Sequence, residues 1–157
     1  MKYPSCKTLG TALLLATLGL TPAVASDQAQ LAQAVEARIE RFDEIDRLFK
    51  SMRFRVVTPR HQDLEAAYEY AQAMSQQTQG LVELFDHPSD RSQFRFSKAR
   101  PSIWQNKSDF DAQMLQMQQQ FQQLEDLIAA QDVDAAERLI DQTARSCRAC
   151  HNSYRFR

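Results

Sequence analysis

The sequence is poor in the residues that interrupt helices: its 157 residues include three glycines and five prolines. Three cysteines are too few for the disulfide framework of a small secreted scaffold. No stretch alternates apolar and polar residues with period two, so nothing predicts a sheet. The one charge-free apolar run, Leu9 to Leu20, holds about a dozen residues, too few to span a bilayer. Charge is nearly balanced, with 19 Lys and Arg against 20 Asp and Glu, a net of −1. That balance argues against a nucleic-acid-binding surface.

The first 25 residues have the anatomy of an export signal. Lys2 and Lys7 precede the apolar run, and Ala23-Val24-Ala25 is a small-residue cleavage site. The mature chain is expected to start at Ser26, leaving residues 26–157 as one domain. Cleavage removes Cys6, so only two cysteines remain. Removing Lys2 and Lys7 as well leaves 17 basic against 20 acidic side chains, a net of −3. The expected location is the periplasm, with no membrane-embedded segment.

What is abundant is Ala, Gln, Glu, Leu and Arg, all good helix formers. Apolar residues recur at three and four, which predicts four amphipathic helices. The first spans about Gln28 to Phe54, with Leu31, Val35, Phe42, Ile45, Phe49 and Met52 facing inward. Thr58-Pro59 reads as a cap and first position of a second helix reaching about Gln79 and resuming through Phe85. Asp86 to Ser102 is a polar connection, long for a small domain. The third helix opens at Pro101 and runs to about Ala130, its Phe110, Met114, Met117, Phe121, Leu124 and Ile128 spaced by four and three. Asp132 and Asp134 are candidate caps for the fourth, in which Ala136, Ile140, Thr143, Cys147, His151 and Tyr154 form one stripe. The expected fold is all-α, an antiparallel four-helix bundle.

Both remaining cysteines fall in Cys147-Arg148-Ala149-Cys150-His151. A CxxCH sequence is the attachment signature of c-type haem. Two thiols on one helical turn can each add to a vinyl group of the same porphyrin, and the next His is carried beneath the iron. A zinc site requires four ligands, and no second pair is present. A thioredoxin-type CxxC requires a βαβ context that the helical pattern lacks. The expected cofactor is therefore one covalently attached haem c, held in the bundle core by the C-terminal helix. His61 and His87 fall in predicted loops and receive no role.

The whole pattern resembles the cytochrome c prime family of C-terminal CxxCH bundles. The resemblance is carried by Pro101-Ser102-Ile103-Trp104, Phe110, Phe121, the run from Cys147 to Arg155, and Arg41-Phe42-Asp43-Glu44-Ile45 in the first helix. It implies that Cys147 and Cys150 carry the thioethers and that His151 is the proximal ligand and metal ligand. It also implies that Arg41 meets a haem propionate, that Ile45 covers the distal face, and that Arg155 lies beside the proximal face. Family members often dimerise through their first two helices.

Isoleucine has no lone pair. An iron covered by Ile45 is five-coordinate and open to small neutral ligands such as nitric oxide. Met52 is the rival: it lies seven residues further on, two turns or about 10 Å. Thioether ligation there would close the site and favour plain electron transfer. Peroxide chemistry is a third reading, weakened by the lack of an evident distal His and Arg pair. Arg145, Arg148, Arg155 and Arg157, with no acid after Asp141, could guide an acidic redox partner. A non-enzymatic haem protein that binds a diatomic gas, passes electrons, or both is expected.

Overall fold

The structure is a computed structural model that describes residues 22–157, with side chains from Asp27 onward. The predicted leader, apart from the backbone of its last four residues, lies outside the described residues. Helix α1 spans Pro22–Val57 and ends where the chain meets Thr58-Pro59, because a residue before proline is pushed out of the helical region. It is longer than predicted at both ends. Thr58 makes no side-chain cap, and Pro59–His61 forms only a single 3-10 turn. The cap of α2 (Leu64–Thr78) is Asp63, which accepts from the Ala66 N–H. The predicted start of the second helix at Pro59 is thus corrected by one turn.

A helix ending at Thr78 is closed by Gly80 at φ +65, a left-handed conformation that glycine adopts without strain. The third predicted helix is broken. A one-turn helix α3 (Ser102–Gln105) precedes α4 (Lys107–Ala129), with Asn106 between them at φ −130, ψ 45. The Asn106 side chain donates to the Ser102 carbonyl at 3.1 Å, local competition with the helical ladder that is typical of asparagine. Asp132 caps α5 (Val133–Tyr154) by accepting from the Ala135 N–H at 3.1 Å; Asp134 sits in the first turn.

Neighbouring helices run antiparallel. The Asp63 N–H meets the Arg55 carbonyl at 3.1 Å and Arg41 reaches Gln79, which sets α1 against α2. Tyr154 meets Asp109 and Gln120 meets Ser146, which sets α4 against α5. Arg53 and Asp141, 3.6 Å apart, close the ring between α1 and α5. Ile45, Leu48, Met52, Met74, Phe121, Leu124 and Ile140 are buried at the centre of the resulting four-helix bundle. Phe42 and Phe49, predicted to face inward, are only half-buried, and Leu48 fills the interior instead.

Candidate functional site

The long connection after α2 folds over the end of the bundle that carries Cys147, Cys150 and His151. Its residues 98–100 pair with the C-terminus through an antiparallel bridge between Ala99 and Arg155. The Arg100 N–H donates to the Tyr154 carbonyl at 2.9 Å, and the Phe156 N–H donates to the Lys98 carbonyl at 2.8 Å. Ser102 Oγ donates to the Ser153 carbonyl and Arg100 Nη1 to that of Asn152. These bonds occupy backbone carbonyls at the end of α5 that would otherwise be left unpaired.

A buried arginine holds this connection to α1. Arg38 is 3% exposed. It donates to the Ser89 carbonyl at 2.6 Å, Ser97 Oγ at 2.8 Å and Ser89 Oγ at 2.9 Å. Its guanidinium lies 4.6 Å above the Phe85 ring. Burial lowers its pKa to about 10, and among the described residues it has no carboxylate partner. Arg38 is not among the residues that carry the family resemblance in the sequence. Its signal was present, since Arg38 continues the inward series Val35, Ile45 and Met52.

Phe85 continues an aromatic chain toward the CxxCH segment. It stands 4.9 Å from Phe110, which meets Tyr154 edge-on at 5.3 Å. Phe110 is buried as predicted. The Tyr154 hydroxyl donates to Asp109 at 2.5 Å, and that bond raises its pKa to about 12.

On α5, about 100° of rotation per residue places Cys147 near the inward line through Ala136 and Tyr154, with Cys150 about 40° to one side. His151 falls about 60° to the other side. Both thiols are half-buried and unpaired. His151 is exposed, which corrects its predicted place on a core-facing stripe: three- and four-residue steps put it on the flank toward α1. Burial raises the Cys147 thiol. It raises Cys150 to about 11, with Cys147 and Asp109 adding to the effect. Loss of hydration and the adjacent Arg155 lower His151. The segment therefore presents two neutral thiols and a neutral imidazole. Redox-active cysteines need a stabilised thiolate, and among the described residues no group of three or more His, Cys, Asp and Glu could hold a metal ion. Thiols placed to react and an imidazole with a free nitrogen fit a haem.

Asp46 on α1 lies within electrostatic reach of Cys147 and His151. The inward residues of the same turns are the buried Ile45 and Leu48, 6% and 3% exposed, flanked by the half-buried Phe42 and Phe49. Arg41 donates to the Gln79 carbonyl at 2.6 Å in a solvent-exposed bond and so closes the C-terminus of α2. Arg155 is exposed beside His151. Met52 is fully buried elsewhere. Its neighbour Arg53 is level with Asp141, and Cys147 and His151 lie six and ten residues further along α5, about 9 and 15 Å at ~1.5 Å per residue. A cavity of about 490 Å3 between the end of α2 and α4 is lined by Thr78, Gly80, Met114 and Met117, without the CxxCH residues.

The cytochrome c' family model matches residues 33–155. No curated protein sequence matches the chain significantly. Among solved structures, cytochrome c prime from Shewanella frigidimarina is 24% identical, over 81% of this chain and 97% of that one, with a TM-score of 0.70. The native protein from Alcaligenes xylosoxidans is 20% identical over 81% and 97%, with a TM-score of 0.72. A nitric oxide complex of a mutant of that protein gives 20%, 81%, 97% and 0.71. Identities this low speak for the fold. The match over most of the chain, ending in the CxxCH helix, speaks for the family: the chain belongs to the cytochrome c' family.

Proposed function

We propose that the protein is an exported c-type haem protein whose iron is five-coordinate through His151 and binds a diatomic gas such as nitric oxide. The observation that carries this reading is the register of α1 against α5. The residues of α1 level with the motif that face inward or flank the interior, Phe42, Ile45, Leu48 and Phe49, are apolar and lack a lone pair. Met52, the one thioether on that face of α1, is displaced along the bundle by about 9–15 Å at ~1.5 Å per residue. The existence of a nitric oxide complex of a structural relative supports the choice of ligand.

Cys147 and Cys150 would hold one haem by thioethers, and His151 would supply a nitrogen ligand to its iron. Bound there, the group offers an open iron position. Ile45 and its aromatic neighbours exclude water and leave no donor for dioxygen. Of the two arginines on α1, Arg38 rather than Arg41 carries a buried charge without a carboxylate partner, and we assign the propionate contact to it. Enzymatic peroxide cleavage is disfavoured: His61 stacks 5.0 Å from Phe54 at the α1–α2 turn, and His87 is exposed in the connection. Export to the periplasm rests on the leader-like residues 1–25. Dimerisation would use α1 and α2, where Phe54 is 47% exposed.

Intact-mass analysis of the exported protein, before and after acid-acetone extraction, tests the attachment. The expected species begins at Ser26 and keeps one haem. Extraction of the haem into the organic phase would refute covalent attachment.

A further inference from the structure

Two acid-free basic segments, far apart in sequence, are bound together beside the CxxCH motif. Residues 91–100 contain Arg91, Arg95, Lys98 and Arg100 and no acid; residues 145–157 contain Arg145, Arg148, Arg155 and Arg157 and no acid. The Ala99–Arg155 bridge and the bonds from the Arg100 N–H to the Tyr154 carbonyl and from the Phe156 N–H to the Lys98 carbonyl join the C-terminal ends of the two segments. Arg91 and Arg100 both stack on the Phe156 ring, at 4.6 and 5.4 Å. None of the eight cations forms an ion pair among the described residues. The nearby acids are engaged elsewhere: Asp90 accepts from the Ser92 N–H, and Asp109 accepts from Tyr154 and Gln113. Phe96, beneath the Arg95 guanidinium, is 72% exposed, the most exposed of the large apolar side chains described.

We propose that this face docks a protein partner through a carboxylate-rich surface, with Phe96 as its apolar centre. Guanidinium groups held over aromatic rings keep their N–H groups available for forked bonds to carboxylates. A local basic face on a chain of net charge −1 suits a compact acidic patch. It suits a nucleic acid or an anionic membrane less well, because their extended fields also meet the protein's acidic remainder. A charged rim around one exposed aromatic is the make-up of a transient protein interface. The face adjoins His151, Asn152 and Ser153, which are exposed. Its use as a route to the iron rests on the haem reading; the docking itself does not.

The test is calorimetric titration of the intact haem-loaded protein with a flavodoxin, a strongly acidic protein, at ~20 and ~200 mM salt, where screening shortens the reach of exposed charges. The unaltered protein should bind at low salt and weaken about tenfold or more at high salt. The variant R95E/K98E should weaken binding about tenfold, whereas R60E/R138E, with the same change in net charge at the other end of the bundle, should stay within about twofold. Equal weakening by both variants, or no binding, overturns the proposal. Tighter binding to phosphatidylglycerol vesicles or duplex DNA than to the flavodoxin overturns it as well. Loss of haem is read separately by intact mass, so failure of the haem assignment is not mistaken for failure of docking.

Discussion

Replacing Arg38 with methionine removes a buried charge and keeps most of the aliphatic stem. The native state bears an opposing term, because lowering the pKa from 12.5 to about 10 corresponds to roughly 3 kcal/mol of desolvation. Three short bonds to Ser89 and Ser97 act in the other direction, at about 1.5–3 kcal/mol each for a charged donor. Their sum, near 7 kcal/mol, leaves a net stabilisation of about 3 kcal/mol. A domain of this size has an unfolding entropy near 0.3 kcal/mol per degree, so Arg38→Met should melt about 10 °C lower by circular dichroism. Hydrogen exchange should show the loss concentrated in the connection between α2 and α3, which Arg38 ties to α1. Buried charges exchanged for apolar groups sometimes stabilise proteins, but chiefly when their partners are exchanged too. Here Ser89 and Ser97 remain. A melting point within about 2 °C of the parent would mean that the three bonds do not outweigh the cost of burying the charge.

Tyr154→Phe removes the bond to Asp109 and should lower stability at neutral pH. The folded phenol sits at about 12 against an unfolded value near 10. The parent's advantage over the variant is therefore full below pH ~10 and disappears as pH rises toward ~12, measurable by urea unfolding across that range. Gln131 occupies a left-handed conformation at φ 58 between α4 and α5; Gln131→Gly should stabilise the protein by about 0.5–1 kcal/mol in the same assay. Met52→Ala should cost about 2–5 kcal/mol, as expected for a fully buried side chain. It should nevertheless leave the haem absorption spectrum unchanged, and a change from low to high spin in that variant would show that Met52 binds the iron.

The fold was legible because helix periodicity is written locally. Phe110, Met114, Phe121, Leu124 and Ile128 lie on the buried side of α4 as their spacing indicates. Stops were less legible. Thr58-Pro59 marks the end of α1, but the cap belongs to Asp63, since the identity of a capping residue depends on which side chain reaches an N–H. Nothing in the sequence announced a left-handed Gln131, where glycine is the usual choice. Cys147, Cys150 and His151 stand out by spacing alone, because a CxxCH motif is local. Arg38 was missed because its role depends on Ser89 and Ser97, some fifty residues away, folding back onto it. The placement of the long connection was not legible, because its pairing with the C-terminus joins residues more than fifty positions apart.

In the proposed function the iron is bound on one side by His151 and open on the other. Optical spectra of the purified ferric and ferrous protein, with and without carbon monoxide, test it most directly. An open iron should give a high-spin spectrum that shifts when the gas is added. A low-spin spectrum unmoved by carbon monoxide would contradict it and identify a sixth protein ligand.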